Sequence, residues 1–414
     1  MRILIVTQYF WPEDFRVNDL VSALRERGHD VTVLTGHPNY PDGRIFPAFR
    51  DRPQNFSSYC GADVVRVPLL PRGRGAMRLA LNYASFVVTA SIIGAWRMRH
   101  RIFDVVFVYQ PSPITACLPA IAVASVVRAP VMLWTLDLWP DTLKAVGVVR
   151  SPALLGLVGQ LVGFIYRRCT LVLGQSRDFA DNVVKYGGDA RRFRYFPQWS
   201  EPLFDAARGH AASAPETSLF AHTFNVMFAG NIGDAQDFPA ILDAAELLRD
   251  RADVRWLIVG DGRAADWVRT EIGRRNLAER VYLLGRHPLA RMPEFFRAAS
   301  ALLVTLKRDP VFALTVPGKV QTYLASGIPL IGMLDGAGAQ VIDDAQAGLT
   351  CAAGNSRALA THIAAMADLS PERRAEMGAN GLAYTTREFD RAELLSRLEG
   401  WIAELRAERD MVAL

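Results

Sequence analysis

Ile3-Leu-Ile-Val-Thr7, the helical pattern that follows through Leu20, Leu24 and Arg27, and Gly28-His-Asp-Val-Thr-Val-Leu-Thr35 decide the fold. Residues 3–7 and 31–35 are continuous apolar runs rather than alternating ones, the mark of strands buried on both faces of a parallel sheet. The same grammar recurs at 104–110, 131–137 and 171–176. A second series at 225–231, 254–262, 281–286, 301–306 and 328–333 is separated by helical patterns such as 238–249 and 290–299. The reading is an α/β chain of two Rossmann-like domains, 1–202 and 219–390. A stretch at 203–218, rich in Ala, Ser and His, serves as linker. Leu394, Leu395, Leu398, Trp401, Ile402 and Leu405 place one apolar face on a helix in 391–414, expected to dock back on the first domain.

With 414 residues, half of them hydrophobic and 21% charged, the chain is long enough for two cores and too apolar for disorder. The net charge of +5 hides an asymmetry. Residues 1–200 hold 24 Lys and Arg against 14 Asp and Glu, whereas the rest hold 23 against 28. A basic N-terminal half and an acidic C-terminal half imply different partners. No nucleic-acid motif accompanies the charge. Cys60, Cys117, Cys169 and Cys351 lie far apart without a Cys-x-x-Cys pair, which fits a reducing cytoplasm. Glu13, Asp14 and Asp19 arrive too early for a secretory leader.

Ligands of parallel sheets gather at the C-terminal strand ends. In the second domain those ends carry Phe228-Ala-Gly-Asn-Ile-Gly233, Gly260-Asp-Gly-Arg263, Gly285-Arg-His-Pro288 and Asp335-Gly-Ala-Gly338. Each reads as a simple turn or as a phosphate loop whose backbone amides face an anion. In the first domain Glu13 and Arg16 follow the first strand and Gln110 ends another. Asp137 closes a third, either as a carboxylate for acceptor binding or base catalysis or as a turn cap. His37 and His287 read as turn residues.

Residues 307–329 carry the most specific motif, Pro317-Gly-Lys-Val-Gln-Thr-Tyr-Leu-Ala-Ser-Gly-Ile-Pro329, preceded by Lys307-Arg308. It resembles the donor-site signature of family 4 glycosyltransferases of the GT-B fold, with Leu324 in place of Met. Tyr9-Phe-Trp-Pro-Glu13, Pro38-Asn-Tyr-Pro-Asp-Gly43, Asp137-Leu-Trp-Pro-Asp141 and Gly230-Asn-Ile-Gly-Asp-Ala-Gln236 extend the likeness. They make the chain similar to bacterial N-acetyl-L-fucosamine transferases of cell-surface polysaccharide synthesis. The resemblance implies two domains facing across a cleft, a nucleotide-sugar donor, a UDP-sugar by expectation, in 219–390 and an acceptor in 1–202. It also implies retention of configuration and no cofactor or metal; no Asp-x-Asp motif occurs. Where many members carry two glutamates eight positions apart, this chain has Leu314 and Thr322.

The donor-binding candidates are therefore Asn231, Gly233, Gly260, Asp261, Gly285, Arg286, Lys307, Thr315 and Thr322, with Lys319 as the catalytic cation that starts a helix. Acceptor binding falls to Glu13, Arg16 and Gln110, with Asp137 as the catalytic carboxylate. A sugar-nucleotide 2-epimerase and a non-catalytic sugar-nucleotide-binding protein are the rival readings. Residues 79–96 are uncharged, flanked by Arg72, Arg74 and Arg78 before and Arg97, Arg99 and Arg101 after. Asn82, Ser85 and Thr89 form a polar stripe on them, so a helix lying in the membrane plane is read there, with Phe86 as a candidate lipid-facing side chain. The uncharged 151–166 reads either as a second such helix or as core. These features imply a lipid-linked acceptor, an anionic membrane surface, and a cytoplasmic enzyme peripheral on the inner membrane.

Overall fold

In the computed structural model the apolar runs become strands of two separate sheets. The structure describes residues 1–73, 75–200, 203–204 and 213–412; Arg74, most of the expected linker and the last two residues lie outside it. Contacts divide the chain into Met1–Pro197 with Ala392–Leu414, and Gln198–Arg391.

The first unit holds β1 (Arg2–Val6), β2 (Asp30–Gly36), β3 (Ser58–Tyr59), β4 (Ala62–Val67), β5 (Val105–Gln110), β6 (Val131–Thr135), β7 (Leu171–Gly174) and β8 (Phe193–Tyr195). Their order is β3-β4-β2-β1-β5-β6-β7-β8, parallel except for β3 against β4. Helix α1 (Val17–Glu26) buries Val17, Leu20, Val21 and Leu24, the i, i+3, i+4, i+7 pattern of one helix face. The chain builds outward from β1 to β4 and returns to β5, so the strand order reverses between β1 and β5. That switch point opens a crevice at the strand ends.

The second unit repeats the plan with β9 (Phe224–Ala229), β10 (Val254–Val259), β11 (Val281–Gly285), β12 (Ala301–Thr305), β13 (Leu330–Met333) and β14 (Gly348–Cys351). The order β11-β10-β9-β12-β13-β14 is parallel throughout and switches between β9 and β12.

Several expected boundaries change. Strand β6 stops at Thr135, so Asp137 lies in the following turn. Strands β4, β8 and β14 carry no long apolar run; in β4 the exposed Asp63 and half-buried Arg66 break a mostly buried strand beside the antiparallel β3. The described parts of the expected linker are packed: Phe204 stacks on Phe296 at 5.4 Å, and Phe204, Ala214 and Thr217 are buried with the second unit.

Three more helices pack on the first unit. Helix α2 (Ala76–Met98), with a π-turn at Ala90–Gly94, is long and apolar enough to cross a bilayer by length and composition. It buries Asn82, Phe86, Ala90 and Met98 on the sheet, and a Cβ at Gly94 would meet Leu34 Cδ2 of β2 at 2.6 Å. Phe86 is therefore core, not lipid-facing. The polar stripe also points inward, with Asn82 Nδ2 donating to Leu70 O at 2.6 Å and Thr89 Oγ1 to Pro68 O at 2.7 Å. What faces out is apolar: Met77 is 74% exposed, Ile92 66% and Trp96 62%, with Leu81 and Val88 between them. Helix α3 (Pro152–Arg168) buries Val162, Ile165 and Tyr166 while Leu154, Leu157 and Phe164 stay exposed, so it is half core.

The final helix, Arg391–Val412, packs Leu394, Leu395, Leu398, Ile402 and Leu405 into the first unit. Glu399 joins it to Arg27 at 2.7 Å and to His29 at 2.6 Å. Arg397 donates to Tyr195 O and Arg409 to Phe103 O, each at 2.9 Å.

Candidate functional site

At the switch point of the second sheet the backbone itself is the building material. Gly230 leaves β9 at φ +138° and its amide donates to Val259 O; Gly260 leaves β10 at φ +145° and its amide donates to Gly285 O, both at 2.8 Å. A Cβ at Gly260 would collide with the Gly230 carbonyl oxygen, and one at Gly262 with that of Ile232. Both positions thus need glycine for close approach as well as, at Gly260, for φ. The Asn231 side chain lies across Gly262 and Gly233. Asp261 accepts from Ile232 N through its carbonyl and from Gly262 N through Oδ1 at 2.8 Å. Of the expected residues, Asn231, Gly233, Gly260, Asp261 and Gly285 therefore converge.

Helix α4 (Gly318–Ala325) brings in the cation. Pro317 precedes it in extended backbone, and Tyr323 pins it: the hydroxyl accepts from Ala229 N and donates to Ala229 O, each at 3.0 Å. That double link ties the helix to the end of β9. Lys319 consequently lies over Gly230, where a Cβ would stand 2.7 Å from its Cε. Its Nζ sits 3.6 Å from the Phe228 ring centroid. Burial lowers the ammonium from its usual range to about 7. Lys319 is not the exposed surface lysine its position at a helix start suggests.

Other expected donor residues are placed differently. Lys307 and Arg286 are exposed, and the Lys307 amide donates to Ala235 O at 2.9 Å. Thr315 and Thr322 turn their hydroxyls back to Val311 O and Gly318 O, both at 3.2 Å. The Gly336 to Gly338 turn packs on the 313–317 segment, a Cβ at Gly338 falling 3.0 Å from Pro317 Cδ. Gly230, Gly262 and Phe228 were not named as site residues, and Tyr323 entered only as a position of the donor-site signature. The glycines stand in quoted turns, whereas nothing in the sequence signals the lysine over Phe228.

The strand ends of the first unit are built from side chains. Glu13 is buried, and its carboxylate accepts from Phe10 N at 3.1 Å, Asn39 N at 2.8 Å and Tyr40 N at 2.7 Å. Burial nevertheless raises it to about 6. The expectation that Glu13 contacts acceptor is corrected: the carboxylate clamps the loop after β1 to the loop after β2. Gln110 is 0% exposed and accepts from Thr135 Oγ1 at 2.7 Å, its Nε2 having no partner among the described residues, so the structure presents no exposed atom for the expected sugar contact. Arg16 stands half-buried at the start of α1.

Asp137 accepts from the Trp139 indole at 3.0 Å, and burial raises its carboxyl, opposed by hydrogen bonds from Thr142, Trp139, Ser112 and the Leu138 amide. The turn-forming role is thus real, and it holds a carboxyl of raised pKa at a strand end. This turn is flanked by both apolar helices. Tyr83 of α2 meets Trp139 at 6.3 Å, and a Cβ at Gly159 of α3 would meet Pro140 at 3.8 Å.

Residues 15–199 match a family model described as glycosyl transferase 4-like domain, and residues 223–368 one described as glycosyl transferases group 1. The chain is 26% identical over 352 residues to the putative colanic acid biosynthesis glycosyl transferase WcaI of Escherichia coli K12, covering 79% of this chain and 82% of that protein. Anabaena Alr3699/HepE, solved in complex with UDP and glucose, superposes with TM-score 0.69 at 17% identity over 97% of this chain and 99% of its own. Sucrose-phosphate synthase of Thermosynechococcus elongatus does so with TM-score 0.71 at 15% identity, over 98% and 99%. The two-domain α/β fold with parallel sheets is that of the GT-B glycosyltransferases.

Proposed function

From a glycosyl transferase 4-like domain followed by a glycosyl transferases group 1 domain, we propose a metal-independent retaining enzyme that moves a sugar from a UDP-sugar to a lipid-linked saccharide in surface polysaccharide synthesis. The observation that carries the donor side is Lys319 laid over Gly230 at the β9–β12 switch point. A diphosphate there meets close-packed glycine backbone and one ammonium. As the glycosidic bond breaks, charge grows on the leaving phosphate, and a fixed cation in a desolvated place stabilises it. The HepE complex with UDP and glucose and the likeness to a colanic acid biosynthesis protein support this donor class and setting. N-acetyl-L-fucosamine is the sugar suggested by the sequence resemblance.

Acceptor binding is assigned to the turn that holds Asp137. The outward apolar faces of α2 and α3, which flank that turn, support an acceptor presented by a membrane. With the basic N-terminal half, they favour an anionic inner leaflet. They also favour transfer over 2-epimerisation, which needs no membrane face.

Two measurements test the reading. In a thermal-shift panel of nucleotides, UDP and UDP-sugars raise the melting temperature, ligand at 100 Kd adding about 2.7 kcal/mol. Vesicles of anionic lipid sediment the chain, and Leu81→Gln with Ile92→Gln releases it. A shift with purine nucleotides alone, or wild-type protein left in the supernatant at low salt, overturns the donor or the membrane assignment respectively.

A further inference from the structure

Asp137 is held by more than its own turn, and the remainder comes from α2. Tyr83 is half-buried on that helix, its ring 6.3 Å from that of Trp139, whose indole donates to Asp137 Oδ2 at 3.0 Å. The Tyr83 phenol hydrogen-bonds to the Ser112 hydroxyl, and Ser112 hydrogen-bonds in turn to the Asp137 carboxyl. Ser112 follows β5 and Asp137 follows β6, two strands that pair in parallel. One hydroxyl therefore ties two neighbouring strand ends to α2.

Counting hydrogens gives this chain a direction. A carboxylate only accepts, so the single Ser112 hydrogen points at Asp137 and the serine oxygen is left to accept from Tyr83. Behind Tyr83 lies Tyr9, whose Oη accepts from Arg72 at 3.4 Å and from Gln8 Nε2 at 3.5 Å. Tyr9 shares its own hydrogen between Asn82 Oδ1, at 3.5 Å, and Tyr83. The donors thus run from a guanidinium toward a carboxylate, and each polarises the next. The part of α2 that carries Tyr83 is itself fixed, because Asn82 Oδ1 accepts from Gln8 at 2.7 Å and Ser85 Oγ from Leu70 N at 2.9 Å.

We propose that Tyr83 and Ser112 are positioning residues for the transfer, aiming the Asp137 carboxylate at the acceptor hydroxyl. This rests on the assignment of acceptor binding to the Asp137 turn and adds that α2 builds part of it. Burial opposes the arrangement by raising the carboxyl, whereas a hydroxyl donating to the ionised form favours that form. The titratable groups coupled to Asp137 are Tyr83 of α2 and Tyr166 of α3, both phenols that burial keeps neutral. Arg72 reaches it only through Tyr9 and Tyr83.

The Trp139 indole reports on the carboxyl without any substrate. In the full chain, isotope-labelled at the tryptophan nitrogens, the Nε1–H resonance of Trp139 is the one lost in Trp139→Phe, and it is followed from acid to neutral pH. Ser112→Ala is expected to raise the midpoint by about one pH unit, the loss of one hydrogen bond to a charged acceptor. Tyr83→Phe raises it by less, because Ser112 still donates but is no longer ordered. Ser85→Ala removes a hydroxyl of the same helix that bonds to Leu70, and leaves the midpoint in place. Midpoints unmoved in both Ser112→Ala and Tyr83→Phe overturn the proposal. So does a Ser85→Ala midpoint that moves as far as that of Tyr83→Phe, since seating of the helix would then be the cause. Turnover separates this inference from the reading beneath it: Asp137→Asn at the wild-type rate overturns both, whereas slowed turnover in Asp137→Asn with unmoved midpoints overturns the positioning role alone.

Discussion

The two sheets follow one topological plan, yet their strand ends are finished in opposite ways. After β9 and β10 the rim is glycine and backbone, with a single lysine laid over it. After β1, β5 and β6 it is side chain: Glu13, Gln110 and Asp137 are each held by amides, hydroxyls or an indole. The difference teaches where specificity resides. Under the proposed function, a nucleotide diphosphate needs close backbone approach and little shape, and the hydrogen-bonded side chains of the first rim set the shape of the wall behind an acceptor. The glycine rim is thus intolerant of added atoms, and the side-chain rim of lost hydrogen bonds.

The comparison breaks most readily at Gly260. Gly260→Ala puts a Cβ into the Gly230 carbonyl at a backbone angle alanine rarely adopts. The expected result is complete loss of UDP binding and transfer, with the second unit melting early while the first keeps its transition in calorimetry. A variant with wild-type UDP affinity would show that the two turns separate freely and that the glycine rim is not a site.

Next in size is Lys319→Ala, expected to lower turnover on the order of tenfold or more at saturating donor. Because the lysine is desolvated, removing it should also raise the melting temperature at neutral pH, the sign of a group retained for function rather than stability. Unchanged turnover removes Lys319 from the chemistry. Lys319→Arg restores charge but not the compact ammonium, so rescue is partial.

The side-chain rim is probed by Glu13→Ala, which frees three buried amides at once. At about 1 kcal/mol for each lost bond, a cost of about 2–4 kcal/mol is expected, read in urea unfolding of the first unit. UDP affinity should stay as it is. An unchanged unfolding transition of the first unit would refute the clamp.

How much of this was written in the sequence follows the same division. Long apolar runs announced the central strands, because burial on both faces demands them. The edge strand β14 stayed hidden because a half-exposed strand needs no such run, and β4, next to the edge strand β3, because Asp63 and Arg66 break its apolar run. The glycine turns were visible as motifs at strand ends, since positive φ and close approach leave a residue-type signature. Glu13, Gln110 and Phe86 were misread for the converse reason. A carboxylate, an amide or a phenyl ring has the same name whether it faces a ligand or a buried amide, and only packing decides. Helix α2 shows this best, its polar stripe having turned inward to the loop at Pro68 and Leu70.

The smallest expected effect sharpens the comparison most, because it reads the glycine rim through one proton. Lys319 in the free chain titrates near 7, held down by burial. A diphosphate beside Nζ favours the charged form and moves that value up. Above pH 7 binding must therefore take up a proton, and UDP affinity falls as pH rises, by at most about tenfold per pH unit. The same depressed value has an opposite consequence for folding. Between about 7 and the ordinary lysine value of 10.5 the unfolded chain binds more protons than the folded one, so stability gained from this group rises with pH through that window. Titration calorimetry in buffers of different ionisation enthalpy measures the uptake directly. Lys319→Met should abolish it, and Lys319→Arg, charged at every pH used, should bind UDP with a flat profile. A wild-type profile already flat between about pH 7 and pH 9 would mean that the ammonium over Phe228 never meets the phosphates, leaving the glycine turns to hold them alone.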